Sequence, residues 1–415
     1  LTITFTVAGT YTVRLYLGGS STCGSTFTET TICVNPTPTA SFTVDNTIGC
    51  LPLNVATTNN SNSATCGTNT ALWSVTYANP TACAPNSSAF TVTSGSLSSL
   101  APVFQFSNPG NYTVQLIAIA PNNACSSIPF TQTVTVKSPP NVSIQVPATV
   151  CSGQNISLTQ IVNNCYSTNP SPTYAWTING GTPGSSSLAN PGQILMNTAG
   201  TQTIMLSVTN ECGTNTQSSN QVVNPLPTAN AGVDIHMCSG DTRTIGSANV
   251  PGMTHSWVGL AGAPTSPLSV FNSTNISNPS VTLTNNSSSP ITYTYEVTVT
   301  ETSTGCSKKD QVDVTVYPLP TASISGATTI CNGGNATLTF TGTPGATVAY
   351  TNGPSPTITL DAAGNATVNI TGLTSSTTYT LTSVTSNATL PIPNCTKALS
   401  GNATITVRPV PSASI

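Results

Sequence analysis

Five proline-centred segments punctuate this chain at nearly even intervals. They are Asn35-Pro-Thr-Pro38-Thr-Ala-Ser-Phe42, Lys137-Ser-Pro-Pro140-Asn-Val-Ser-Ile144, Asn224-Pro-Leu-Pro227, Tyr317-Pro-Leu-Pro320-Thr-Ala-Ser-Ile324 and Arg408-Pro-Val-Pro411-Ser-Ala-Ser-Ile415. Their second prolines lie 102, 87, 93 and 91 residues apart, the length of one β-sandwich module. Each segment follows an alternating stretch such as Thr133-Val-Thr-Val136 or Val312-Asp-Val-Thr-Val316. Proline has no N–H to give to a strand ladder, so it ends the last strand of one module. Two of them also stiffen the connection toward an extended form. The modules expected are a partial one over 1–36, whole ones over 37–139, 140–226, 227–319 and 320–409, and the start of another over 410–415.

Three further landmarks recur in register. A Cys-x-Gly turn opens three modules, at Cys151-Ser-Gly153, Cys238-Ser-Gly240 and Cys331-Asn-Gly333, and Cys50 holds the same place in Ile48-Gly-Cys50-Leu-Pro-Leu53. An aromatic follows 19–25 residues later, as Trp73, Trp176, Trp257 and Tyr350. A long alternating strand comes next, as in Ala8-Gly-Thr-Tyr11-Thr-Val13-Arg-Leu15 and Pro109-Gly-Asn-Tyr112-Thr-Val114-Gln-Leu116, and a further cysteine lies beyond it: Cys23, Cys125, Cys212, Cys306 or Cys395. This is period-2 patterning in Val, Ile, Thr and Tyr bounded by Gly, Pro and Asn, with no helical period. Threonine suits half-exposed strands, because its branch packs while its hydroxyl stays wet.

Composition narrows the function. Of 415 residues only 7 are Lys or Arg and 10 are Asp or Glu, 4% in all, for a net charge of −3; an ordinary domain is about a quarter charged. So few dispersed cations cannot neutralise a phosphate backbone, which excludes nucleic acid as a partner. No apolar run reaches the roughly 18 residues of a membrane span. The 37% hydrophobic content is enough to bury a core, which argues against disorder. Thirteen cysteines, none spaced as Cys-x-x-Cys, point to an oxidising, extracellular setting. The chain opens inside a strand, Leu1-Thr-Ile-Thr-Phe5-Thr-Val7, and reads as a segment of a longer secreted protein.

The Gly-x-Tyr-Thr-Val strands (Gly9 to Val13, Gly110 to Val114), the tryptophan of Tyr174-Ala-Trp176-Thr-Ile-Asn-Gly-Gly181 and the Cys-Ser-Gly entry carry a resemblance. They are similar to the immunoglobulin-like (Ig-like) and PKD-like repeats of secreted Bacteroidota proteins. These include very large cell-surface adhesins associated with gliding motility and type IX secretion. The resemblance covers essentially the whole chain. It implies an all-β tandem array of antiparallel β-sandwiches, with Trp73, Trp176, Trp257 and Tyr350 as core aromatics. It implies tyrosine corners at Tyr11, Tyr112, Tyr293 and Tyr379. Val13, Val114 and Tyr295 stand where antibody domains place a core cysteine, so apolar packing would replace that disulfide.

If the topology is Ig-like, the Cys-x-Gly turn precedes strand B and the later cysteine lies near the F–G loop, at the opposite end of the same sandwich. A disulfide allows only roughly 4.4–6.8 Å between Cα atoms. A head-to-tail array then implies interdomain pairs: Cys50 with Cys212, Cys151 with Cys306, and Cys238 with Cys395. Cys23, Cys125 and Cys331 would pair with modules before or beyond the segment. Pairs inside each module (Cys50 with Cys125, Cys151 with Cys212, Cys238 with Cys306, Cys331 with Cys395) are the alternative and stay open. Cys66 and Cys83 flank Trp73 and are expected to form a local pair, leaving Cys33 and Cys165 as small buried hydrophobes.

Catalytic material is scarce. His236-Met-Cys238 offers too few ligands for a metal, and Asp45, Asp234 and Asp241 too few for a calcium cage. Lys137, Lys308, Lys309 and Lys397 look peripheral. There is no Gly-x-Ser-x-Gly elbow. The expectation is no enzyme, no cofactor and no metal, and instead a structural stalk of a long secreted adhesin or filament that projects a distal binding region for adhesion or gliding. Its partners would be neighbouring repeats of the same chain, further copies in a filament, and a surface polysaccharide or protein ligand. The alternative is a carbohydrate-binding or spacer module of a secreted hydrolase, which would show exposed aromatics such as Tyr166.

Overall fold

The structure, a computed structural model, describes residues 1–18, 24–78, 83, 90–123, 125–167, 171–264 and 270–412. The fold is an all-β tandem array of Ig-like sandwiches. Two compact units divide the chain, Leu1–Asn224 and Pro225–Ile415, and each holds two separate hydrophobic cores. In the first unit the cores run from Ala40 to Val136 and from Val142 to Val223. In the second they run from Ala231 to Val316 and from Ala336 to Ile405. No core crosses a proline pair. The strands Gly9–Leu17 and Thr26–Val34 form an antiparallel hairpin ahead of the first core.

The sandwich around the core from Ala40 to Val136 shows how the pattern folds. One sheet orders Phe42–Val44, Leu53–Asn59, Val103–Phe106 and Phe90–Ser94; the other orders Ile48–Cys50, Phe130–Lys137, Gly110–Ile119 and Thr70–Ala78. All pairs are antiparallel except Ile48–Cys50, which runs parallel to Phe130–Lys137. Alternation along Gly110–Ile119 is strict: Tyr112, Val114, Leu116 and Ala118 point inward and their neighbours outward. Trp73 faces them from Thr70–Ala78, 1% exposed, edge-on to Phe42 at 4.8 Å. An inward indole must still satisfy its N–H. Trp73 Nε1 donates to the Ser99 carbonyl at 2.9 Å, Trp176 to Leu188 at 3.0 Å and Trp257 to Ile276 at 3.0 Å. Tyr350 takes the same place in the fourth core, 4% exposed and against Phe340.

The entry to each long strand is tied back on itself. The Tyr112 hydroxyl donates to the carbonyl of Asn108 at 2.9 Å, and that of Tyr11 to Val7 at 2.7 Å. In the sandwich around the core from Val142 to Val223 a glutamine does this work, Gln202 Nε2 reaching Thr198 O at 3.1 Å. Tyr379 is buried in its core, whereas Tyr293 packs only partly buried and Tyr295, two residues on, is sealed inside against Phe271. Gly246 is sterically required, as Gly326 and Gly364 are in the last sandwich. Gly246 has φ +87°, and a Cβ there would overlap the Ser277 carbonyl and press on the Trp257 ring.

The short strand ahead of each Cys-x-Gly turn is the element that sequence pattern did not reveal. Ile48–Cys50, Thr149–Cys151, Ile235–Cys238 and Thr328–Cys331 each lie parallel to the last strand of their own module. The cysteine is therefore the final residue of a strand, not the start of the turn into strand B. It is carried to the same end of the sandwich at which the chain leaves for the next module.

Candidate functional site: the disulfide-clamped joints

The joint between the first unit's two cores, Ala40 to Val136 and Val142 to Val223, is built on the linker Lys137-Ser138-Pro139-Pro140. Cys50 pairs with Lys137 in parallel register, so both reach the joint together. From the other side comes the hairpin turn between Gly200–Asn210 and Gly213–Asn224. Cys212 sits in that turn and is bonded to Cys50, with Cα atoms 5.4 Å apart. Asn210 shapes the turn: its Oδ1 accepts from Cys212 N at 2.9 Å, and its Nδ2 donates to Ser138 O at 2.9 Å. Asn215 Nδ2 donates to Pro140 O at 2.9 Å. A second disulfide, Cys83–Cys165, closes the same joint, also with Cα atoms 5.4 Å apart.

An ion pair fills the space between the covalent ties. Lys137 Nζ lies 3.1 Å from Glu211 Oε1, with side chains only 12% and 22% exposed. The Ser167 hydroxyl donates to Glu211 Oε2. That bond first, with backbone donation and Lys137 adding to it against the cost of burial, holds the Glu211 carboxyl at about 2, well below its ordinary 4.5. Lys137 is thus a joint residue and not a peripheral one. A carboxyl whose folded value is depressed contributes fully above its unfolded value, and the contribution fades as pH falls through the folded one. Protection of the Cys212 and Asn210 amides against hydrogen exchange is expected to drop between about pH 4.5 and 2. Glu211→Gln should flatten that dependence, and an unchanged profile in the variant would refute the role given to Glu211.

The other joints use the same device with different loops. Cys33, near the end of Thr26–Val34, is bonded to Cys66 of the next module, Cα atoms 6.2 Å apart; Asn35 braces it, accepting from Cys66 N at 2.8 Å. In the second unit Cys238, at the end of Ile235–Cys238, is bonded to Cys395 with Cα atoms 5.5 Å apart. Cys395 is 1% exposed and is held by reciprocal bonds with Ser386. All four of these disulfides run from one module to its neighbour.

Two expectations are overturned. Cys66 and Cys83 do not pair with each other: Cys66 bonds Cys33 and Cys83 bonds Cys165. The strand Thr70–Ala78 lies between them, and nine residues at about 3.3 Å each put its flanks roughly 30 Å apart. Cys33 and Cys165 are accordingly bonded cysteines and not leftover hydrophobes. All four in-module pairs (Cys50 with Cys125, Cys151 with Cys212, Cys238 with Cys306, Cys331 with Cys395) are excluded by the bonds Cys50–Cys212 and Cys238–Cys395. Cys125 and Cys331 carry no disulfide among the described residues, and Cys23 lies outside the described residues. Cys151 ends Thr149–Cys151 in the first unit, and Cys306 is buried beside Ser307–Tyr317 in the second.

The remaining polar candidates have local duties. Asp45 Oδ1 accepts from Ala56 N, Asp234 Oδ1 from Asp313 N, and Asp241 Oδ2 from Cys238 N. They cap backbone in three separate places, and among the described residues no three His, Cys, Asp or Glu side chains converge on a point that could hold a metal. His236 Nδ1 meets the Tyr317 hydroxyl at 3.2 Å. Tyr166 is half-buried in the loop that carries Cys165, and burial raises its pKa; it does not offer an open ring face. The groove along Thr57, Asn59, Ser61, Asn62, Asn69 and Leu100, about 410 Å³, contains hydroxyls and amides but no charged side chain.

No protein-family model matches the sequence, and no curated protein matches it significantly. Solved structures of tandem domains are similar to it. The ICAM-5 D1–D4 ectodomain fragment is 11% identical with a TM-score of 0.34, over 89% of this chain and all (100%) of that one. The I-band fragment I67–I69 from titin is 13% identical with a TM-score of 0.32, over 65% of this chain and 99% of that one. Drosophila N-cadherin EC1–4 is 10% identical with a TM-score of 0.25, over 78% of this chain and 92% of that one.

Proposed function

We propose that this chain is a non-catalytic stalk segment of a long secreted cell-surface adhesin or filament, which projects a distal binding region and serves surface adhesion or gliding. One observation carries the reading: three of the disulfides described above join one sandwich to the next, the fourth ties the leading hairpin to the first sandwich, and none closes a sandwich on itself. A domain that works alone gains most from a bond inside its own core; a bond across a joint instead fixes how neighbours follow each other. The modules proposed are those over 37–139, 140–226, 227–319 and 320–409, with a partial one over 1–36 and another beginning at 410. Cys331 ends its strand in the register of Cys50 and Cys238, and we assign it a partner in a following module; Cys125, in the register of Cys212, takes one in a preceding module. Type IX secretion by a member of the Bacteroidota fits the residues that carry the resemblance.

The three tryptophans point into cores, which weighs against the carbohydrate-binding alternative. A glycan array probed with the whole chain separates the two readings. The stalk reading expects no specific sugar signal, and attachment of cells bearing the parent protein that falls when residues 37–226 are deleted from it. Specific sugar binding by this segment, or attachment indifferent to that deletion, would overturn it.

A further inference from the structure

We propose that the joint disulfides form a tension bypass: a pulling force along the chain crosses them and leaves the stretch of chain enclosed between the bonded cysteines, most of each pair of sandwiches, unstretched. Cys50–Cys212 spans 162 residues and Cys238–Cys395 spans 157. The first loop encloses Trp73, Trp176 and nearly all of the first unit's two cores; the second encloses Trp257, Tyr350 and nearly all of the second unit's two. A load applied at the two ends of the chain reaches Cys50, passes through sulfur to Cys212, follows backbone to Cys238, and passes through sulfur again to Cys395.

Only residues 1–50, 212–238 and 395–415 remain in the path. Fully extended, the middle stretch measures roughly 90 Å and the first roughly 170 Å. Each shielded loop would measure about 550 Å if it were pulled out. The placement of the cysteines serves this role. Cys50 and Cys238 end strands parallel to the last strand of their module, so the bond departs from the same end as the backbone linker. The covalent detour is thus short, and Cys83–Cys165 doubles it at the joint of the first unit. A sandwich held only by hydrogen bonds and apolar contacts yields under a load that a covalent bond withstands. An extracellular chain that must transmit pull without lengthening needs the second kind of link.

The proposal rests on the stalk reading for its purpose, but its test does not. The whole 415-residue chain is stretched between its termini in an atomic force microscope or optical trap, first oxidised and then in the presence of a phosphine reductant. Oxidised, it is expected to show no release longer than about 170 Å. Reduced, it is expected to show up to four releases of about 250–300 Å, one per sandwich. Tryptophan fluorescence and circular dichroism of the unloaded reduced chain establish that the sandwiches are still folded. Sandwich-length releases in the oxidised chain would overturn the proposal. So would a folded reduced chain that resists the same load with no releases, since the sandwiches would then need no bypass. Either failure leaves the adhesion and glycan results standing, and a stalk that fails those can still pass this test.

Discussion

Trp73→Ala is expected to destabilise the sandwich around the core from Ala40 to Val136 by about 3–5 kcal/mol. The side chain is 1% exposed and lies edge-on to Phe42 at 4.8 Å and Phe104 at 6.1 Å. Its removal leaves a cavity that the two sheets cannot close, because Tyr112, Val114 and Leu116 are already held by their own ladder. The Ser99 carbonyl loses its donor as well, adding to the cost where water cannot replace it. Hydrogen exchange in the whole chain reads the effect locally. Protection should fall about a hundredfold or more at Val114 and Leu116, since each 1.4 kcal/mol is a factor of ten. It should change little at Ile204 and Leu206, which belong to a different core. Leu72→Ala on the same strand is the control: Leu72 is 49% exposed, and a change within about 0.5 kcal/mol is expected. Equal losses at Trp73 and Leu72, or a loss spread over both cores, would contradict the assignment of separate cores.

That strand also shows where sequence reading succeeds and where it stops. Thr70–Ala78 alternates inward and outward residues, and an aromatic recurs 19–25 residues after the entry cysteine in the other repeats. Period and inward face were therefore readable, because burial on one side of a sheet imposes both. Loop partners were not. Cys66 and Cys83 are 17 positions apart in sequence and look like neighbours until the strand between them is given its length. Their true partners lie across a joint, and only strand direction and module order bring them near. Ile48–Cys50 was invisible for a related reason: three residues are too few to show a period, yet this strand aims Cys50 at the joint. Lys137 and Glu211 are separated by 74 positions. The one available hint was placement, with Lys137 opening the linker and Glu211 next to Cys212 in a chain almost without charge.

Replacing Cys50 and Cys212 together by serine is expected to lower the unfolding free energy of the first unit by about 4–5 kcal/mol. In the chain-entropy account a cross-link acts on the unfolded state, by removing the freedom of the loop it closes. A loop of 162 residues gives about 5 kcal/mol by that relation. Cys83–Cys165 is nested inside with a separation of 82, shortening the loop still open and trimming the figure slightly. Denaturant unfolding of the oxidised chain should show a lower midpoint for the first unit and an unchanged one for the second, with a loss under 1 kcal/mol refuting the entropic role. The size of the effect follows from geometry that a lone antibody-type domain lacks. A bond inside one sandwich restrains that sandwich alone. Cys50–Cys212 closes a loop through two, so if either core melts, the other still anchors the loop and keeps the melted chain short. Re-forming the lost sheet then starts from ends already held close.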